Sequence, residues 1–193
     1  LLTHLRRTDE ALNHARIAVD LDPLNPMILG LCAGVFIESG ECKYALTLIE
    51  KAITIEPEHF FTYPKQIDAS ICIGDYQKAF DTTKRLNSAL WDKHNKTDEF
   101  EQIFREKGWI TYQEEAIKFY EEIGLQDNYR ENSDQALRYI SVRKYDMAMD
   151  IFEKAYEEND PRLANISDNT IYLKMKDNPR YLKLLKKMNL PVE

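Results

Sequence analysis

Apolar and small residues recur along this chain at helical spacing, in blocks separated by short polar turns. The block Pro26 to Pro57 is the most regular. Its first half puts Leu29, Cys32, Ala33 and Phe36 on one stripe, and its second half does the same with Ala45, Ile49 and Ala52. That is the period of an amphipathic helix repeated on either side of Ser39-Gly40-Glu41, so the block predicts two helices joined by a tight turn. Thirty-four residues before Ala45, Ile49, Ala52 and Pro57 stand Ala11, Ala15, Ala18 and Pro23, and thirty-four after Ala45 stands Ala79, just past Gly74-Asp75-Tyr76. A fixed period of this length marks a helix–turn–helix repeat, each unit burying its apolar face on the next.

The other blocks fit with growing divergence. Residues 9–22 form a second helix, stopped at Asp22-Pro23 because proline disfavours a helical residue before it. The chain opens partway into that first repeat, which points to a fragment of a longer protein. In residues 59–91, Pro64 places the helix start near Tyr63 or kinks the helix there, and Leu86 and Leu90 are assigned to the inner face. WDKHNKTDEF reads as a loop or frayed start, and residues 100–123 as a divergent repeat with Ala116 as its small residue. Gly108 either breaks or bends it. In residues 129–161 the pattern returns through Ala136, Tyr139, Ala148, Phe152 and Ala155. A last helix follows, capped by Asp177 or Asn178, opened by Pro179 and buried through Tyr181, Leu182, Leu185 and Met188.

With Leu29, Cys32-Ala33, Phe36, Ala45, Ile49, Ala52 and Pro57 in place, the chain resembles the tetratricopeptide repeat (TPR) family, whose pattern runs aromatic, Leu-Gly, Tyr, Ala, Phe, Ala, Pro. The resemblance implies an all-α fold: a right-handed α-α superhelix of about four to five hairpins. The repeats fall at about 1–25, 26–59, 60–92, 93–128 (divergent) and 129–162, with a capping region at 163–193, all in one helical domain. The tail, through Asp177, Pro179, Arg180, Tyr181, Leu184, Leu185, Met188 and Leu190, is similar to the close of TPR regions in bacterial signalling proteins. Those include transcriptional regulators with a separate DNA-binding domain and some nucleotide cyclases.

Within such a fold the first helices line a concave groove that captures a peptide or partner helix. The groove-facing residues would be Met27, Gly30, Gly34 and Ile37, then Phe61, Lys65, Asp68 and Ile71, continued by Arg130, Leu137 and Ile140. Members that clamp chaperone tails use paired Asn and Lys on these faces. Gly and Met stand there instead, so the expected guest is an apolar helix or extended segment. A second reading has the same residues packing on the next helix of their own chain.

Composition narrows the functions without naming one. Net charge −7 argues against a general polyanion-binding surface. The C-terminal segment, with Lys174, Lys176, Arg180, Lys183, Lys186 and Lys187 against Asp177, carries +5 and leaves −12 on the remainder; it reads as a capping helix with a solvated basic face, ahead of contact with an acidic partner surface or with nucleic acid. The three cysteines, Cys32, Cys42 and Cys72, cannot all pair and read as buried small apolar residues in a reducing cytosol, with a redox or metal role as the other reading. No apolar run approaches membrane-spanning length. There is no phosphate-binding glycine loop, and the scattered His4, His14, His59 and His94 have no ligand-spaced partners. The expectation is therefore a cytoplasmic, non-catalytic interaction module without cofactor or metal. It would be the sensor or dimerisation part of a bacterial transcriptional regulator, binding a protein, a peptide or a second copy of itself. The alternative is the regulatory region of a larger signalling enzyme such as a nucleotide cyclase.

Overall fold

At six helix ends a glycine or polar residue with positive φ closes the helix through one shared hydrogen-bond pattern. At the turn carrying Gly40 (φ 83°), Gly40 N–H donates to Ile37 O at 3.0 Å and Glu41 N–H reaches back to Phe36 O at 2.8 Å. This paired closure satisfies the last carbonyls of the helix, and it requires a left-handed residue at the turn. One period on, Gly74 (φ 79°) and Asp75 make the same pair to Ile71 and Ser70, at 3.1 and 2.9 Å. Asn95, Arg143, Asn159 and Asn189 repeat it with φ between 54° and 62°. Gly108, also at positive φ, serves a different purpose described below.

The computed structural model describes the chain apart from residues 1, 4, 58, 60, 125–130, 168 and 193, and the side chains of 131–134, 162, 164, 169 and 172. Among the described residues every regular element is helical and there is no strand. In order they are α1 (Thr8–Leu21), α2 (Pro26–Glu38), α3 (Cys42–Ile55), α4 (Thr62–Ile73), α5 (Tyr76–Lys93), α6 (Thr97–Glu122), α7 (Glu131–Ser141) and α8 (Tyr145–Glu157). A 3₁₀ segment (Pro161–Ser167), α9 (Asn169–Met175) and α10 (Pro179–Lys187) complete the chain. Two compact units result, one of Leu2 and Arg7–Thr97, the other chiefly of Asp98–Glu193.

In the first unit each helix packs on its sequence neighbours, and α2 also lies against α4. The small residues do what their spacing predicts. Ala11, Ala15, Ala45, Ala52 and Ala79 are all buried, with Leu29, Phe36 and Ile49 among the residues filling the space between them. Asn25 starts α2 by accepting hydrogen bonds from Met27 N and Ile28 N, ahead of Pro26, whose missing N–H is harmless there. Pro64 sits in the first turn of α4 for the same reason, in agreement with a start near Tyr63. The second helices are tied to one another by ion pairs, Arg16 to Glu41 at 2.6 Å and Lys78 to Glu50. Two expectations change. Leu86 is exposed, and Phe80, Thr82 and Trp91 form the inner face of α5 with Ala79. WDKHNKTDEF is mostly helical, since α5 runs on through Lys93 and α6 begins at Thr97.

In the second unit Gly108 settles the divergent stretch. Its φ of 80° with ψ of −176° is open to glycine alone among common residues, and it interrupts α6. Phe100 and Phe119 would stand about 28 Å apart on a straight helix. Their ring centroids are 5.6 Å apart, so residues 97–107 and 109–122 fold back on one another as a hairpin. Phe104, Trp109 and Tyr112 fill the angle between the arms. Ala116 is buried as the divergent repeat requires.

Beyond it Ala136, Tyr139, Ala148, Phe152 and Ala155 share one core with Tyr181, Leu184 and Leu185 of α10. Asn178 caps α10 by accepting from Arg180 N and Tyr181 N. Arg180 then forks onto α8, to Glu153 at 2.8 Å and Asp150 at 2.7 Å, with Asp146 3.6 Å away. Tyr139 donates its hydroxyl to Glu121, and burial together with that carboxylate pushes the phenol up to about 12.

Candidate interaction surface

Three rows run along α2, and their roles follow from what lies beside each. The first, Leu29, Cys32, Ala33 and Phe36, enters the core. The second, Gly30, Gly34 and Ile37, is also buried. A Cβ at position 30 would stand 3.2 Å from the Phe61 ring, and one at 34 would stand 3.7 Å from Lys65 Cε. The missing side chains thus let Phe61 and Lys65 of the α4 region lie over the helix. Only the third row, Met27 (39% exposed) and Leu31 (48% exposed), is open to solvent.

This redistributes the groove expected from sequence. Gly30, Gly34 and Ile37 are buried and form no open floor, with Phe61 and Lys65 lying over the two glycines. Phe61 and Ile71 are half-buried, and Asp68 is exposed. Lys65 Nζ pairs with Asp68 Oδ2 at 3.3 Å and rests 6.0 Å from the centre of the Phe61 ring. What remains accessible is an apolar strip, Met27 and Leu31, with the exposed Leu21 and Leu24 preceding it in the chain. One charged pair, Lys65 with Asp68, stands on the neighbouring helix.

The remaining candidates belong to the second unit. Leu137 is 41% exposed on α7 beside Arg138, whose guanidinium lies 4.7 Å from the centre of the Tyr120 ring. Ile140 is 2% exposed and belongs to the core, which withdraws it from any surface. Arg130 lies outside the described residues.

Leu31 was legible and missed, for it follows Met27 by four residues and so shares its face. The basic tail also changes. Arg180 is engaged by carboxylates of α8, leaving Lys174, Lys176, Lys183, Lys186 and Lys187 as its exposed cations.

The cysteines depart furthest from expectation. Cys42 and Cys72 are joined as a disulfide, with Cα atoms 6.1 Å apart, and only Cys32 is a free thiol, its pKa raised by burial. The disulfide overturns the reading of all three as reduced core residues. Cys42 lies two residues after Gly40 and Cys72 two before Gly74, so both stand at hairpin tips.

Among the described residues no group of His, Cys, Asp and Glu is arranged to hold a metal ion, and no helix is long and apolar enough to cross a membrane. No family model, curated protein or solved structure matches the chain.

Proposed function

We propose that this chain is a non-catalytic protein-interaction module of the tetratricopeptide type, its hairpins continuing one another in a right-handed superhelix. In that reading it works in the cytoplasm as the sensor or dimerisation part of a bacterial regulator. The observation that carries the reading is the side-by-side packing of α2 and α4, the first helices of consecutive hairpins, with Met27 and Leu31 exposed beside them. Adjacent first helices are what a stack of hairpins presents to a partner. An exposed apolar row one helical turn in pitch suits the apolar face of another helix or an extended apolar segment.

The test is sedimentation velocity of the full chain over a concentration series, beside the double variant Met27→Glu, Leu31→Glu. Both sites are surface positions, so the variant keeps its fold. The expected outcome is association in the micromolar range, of the chain with itself or with an apolar helical peptide, that the double variant loses. A wild-type chain that stays monomeric at every concentration and binds no peptide overturns the proposal.

A further inference from the structure

The disulfide between Cys42 and Cys72 closes a ring around one helix pair. Helices α3 and α4 are already joined through residues 56–61; the bridge joins their other ends, where α3 begins and α4 finishes. That end of α4 packs through small side chains, Ala69 and Ser70, both fully buried. Ser70 stands one period after Phe36 and is fully buried like it, yet it fills far less of the core, and its hydroxyl has no hydrogen-bond partner among the described atoms. A buried hydroxyl left without a partner costs stability, so this end gains from a covalent tie.

We propose that Cys42–Cys72 is a redox-operated latch that sets how firmly the C-terminal half of α4 is held against α3, and hence the state of the surface that α4 shares with α2. The inference stands apart from the interaction reading, since it concerns the bond and the helix it holds. The two residues have different access: Cys72 is exposed and Cys42 is buried. Closure proceeds by exchange with a low-molecular-weight disulfide of the glutathione type. The Cys72 thiolate attacks one sulfur of that disulfide and expels one thiolate. The Cys42 thiolate then attacks Cys72 Sγ and expels the second. The protein pair gives up two electrons and two protons, and the exchanging disulfide becomes two thiols. Opening is the reverse, begun by a small thiol that reaches the exposed sulfur of Cys72.

The experiment equilibrates the full chain with oxidised or reduced glutathione, maps free thiols by alkylation and mass spectrometry, and follows amide hydrogen exchange over residues 66–75. In oxidised buffer Cys42 and Cys72 should resist alkylation as a linked pair of peptides. In reduced buffer Cys72 should alkylate first and Cys42 later, while buried Cys32 stays unlabelled in the folded chain. Exchange over 66–75 should quicken at least about tenfold on reduction, as expected for loss of a cross-link that restrains local opening. Cys72→Ser, a change at an exposed position, should exchange at the fast rate in both buffers. Full alkylation of Cys72 in oxidised buffer, or equal exchange in the two redox states of the wild type, overturns the latch.

Discussion

At position 34 a methyl group would meet only the aliphatic end of Lys65, 3.7 Å away, whereas at position 30 it would press on the Phe61 ring at 3.2 Å. Both glycines are interior to α2, where alanine is favoured by about 1 kcal/mol. Gly34→Ala should therefore raise stability by roughly 0.5–1 kcal/mol in urea denaturation, because Lys65 can move aside. Gly30→Ala should gain less or nothing, since the Phe61 ring would have to give way. A destabilised Gly34→Ala variant would mean that Lys65 is held more tightly than its half-exposed position implies. The sequence displayed both glycines on one helix face, but it could not display Phe61. Whether a gap in a side-chain row is a groove or a socket depends on the helix opposite.

Among the elements, the turns carry the most information per residue. Gly40 and Gly74 meet the left-handed requirement freely, while Arg143 meets it at φ 62° with a side chain exposed to solvent. Replacing Arg143 by Gly should stabilise the α7–α8 hairpin by about 0.5–1 kcal/mol, the left-handed cost relieved less the added freedom of the unfolded chain. Gly108→Ala should do the opposite and cost about 1–3 kcal/mol, because its backbone angles exclude a side chain. Thermal melts of the two variants give the comparison, and equal melting temperatures would contradict it. The hairpin at Gly108 shows where the pattern was legible and where it stopped. Apolar spacing marked Phe100, Phe104, Ala116 and Phe119 as helical, yet a helix that bends and one that reverses have the same periodicity. The φ and ψ of a single residue decide between them, and a glycine permits either.

At the largest scale each unit is held together in its own way. In residues 7–97 the helices meet in sequence order, with ion pairs joining α1 to the start of α3 and α3 to α5. In the second unit the closing contact is Arg180 across to α8, which holds the Glu153 carboxyl below its ordinary value of 4.5. A depressed carboxyl contributes stability above pH 4.5 and loses it as the pH falls through the lowered value. Arg180→Met should thus cost about 1 kcal/mol at neutral pH, a modest figure because the groups are partly exposed and screened. The difference from wild type should shrink toward zero in acid, and a gap that persists there would assign the effect to packing instead. The sequence announced the capping helix through Asn178-Pro179 and its buried stripe. It offered the positive charges only as a tally, and nothing in spacing distinguished Arg180, clasped by three carboxylates, from the lysines left in water. The 34-residue period was legible because each repeat has to fit the next; the pairing of Cys42 with Cys72 crosses from one repeat to another, so no single repeat contains it.

The spacing between α2 and α4 rests on two side chains that are not there. Had positions 30 and 34 carried leucine, the second hairpin and the third would stand farther apart, and Phe61 and Lys65 would swing outward. Graded substitution at these two sites would therefore act as a set of shims, changing the tilt from one hairpin to the next while the buried alanines keep their places.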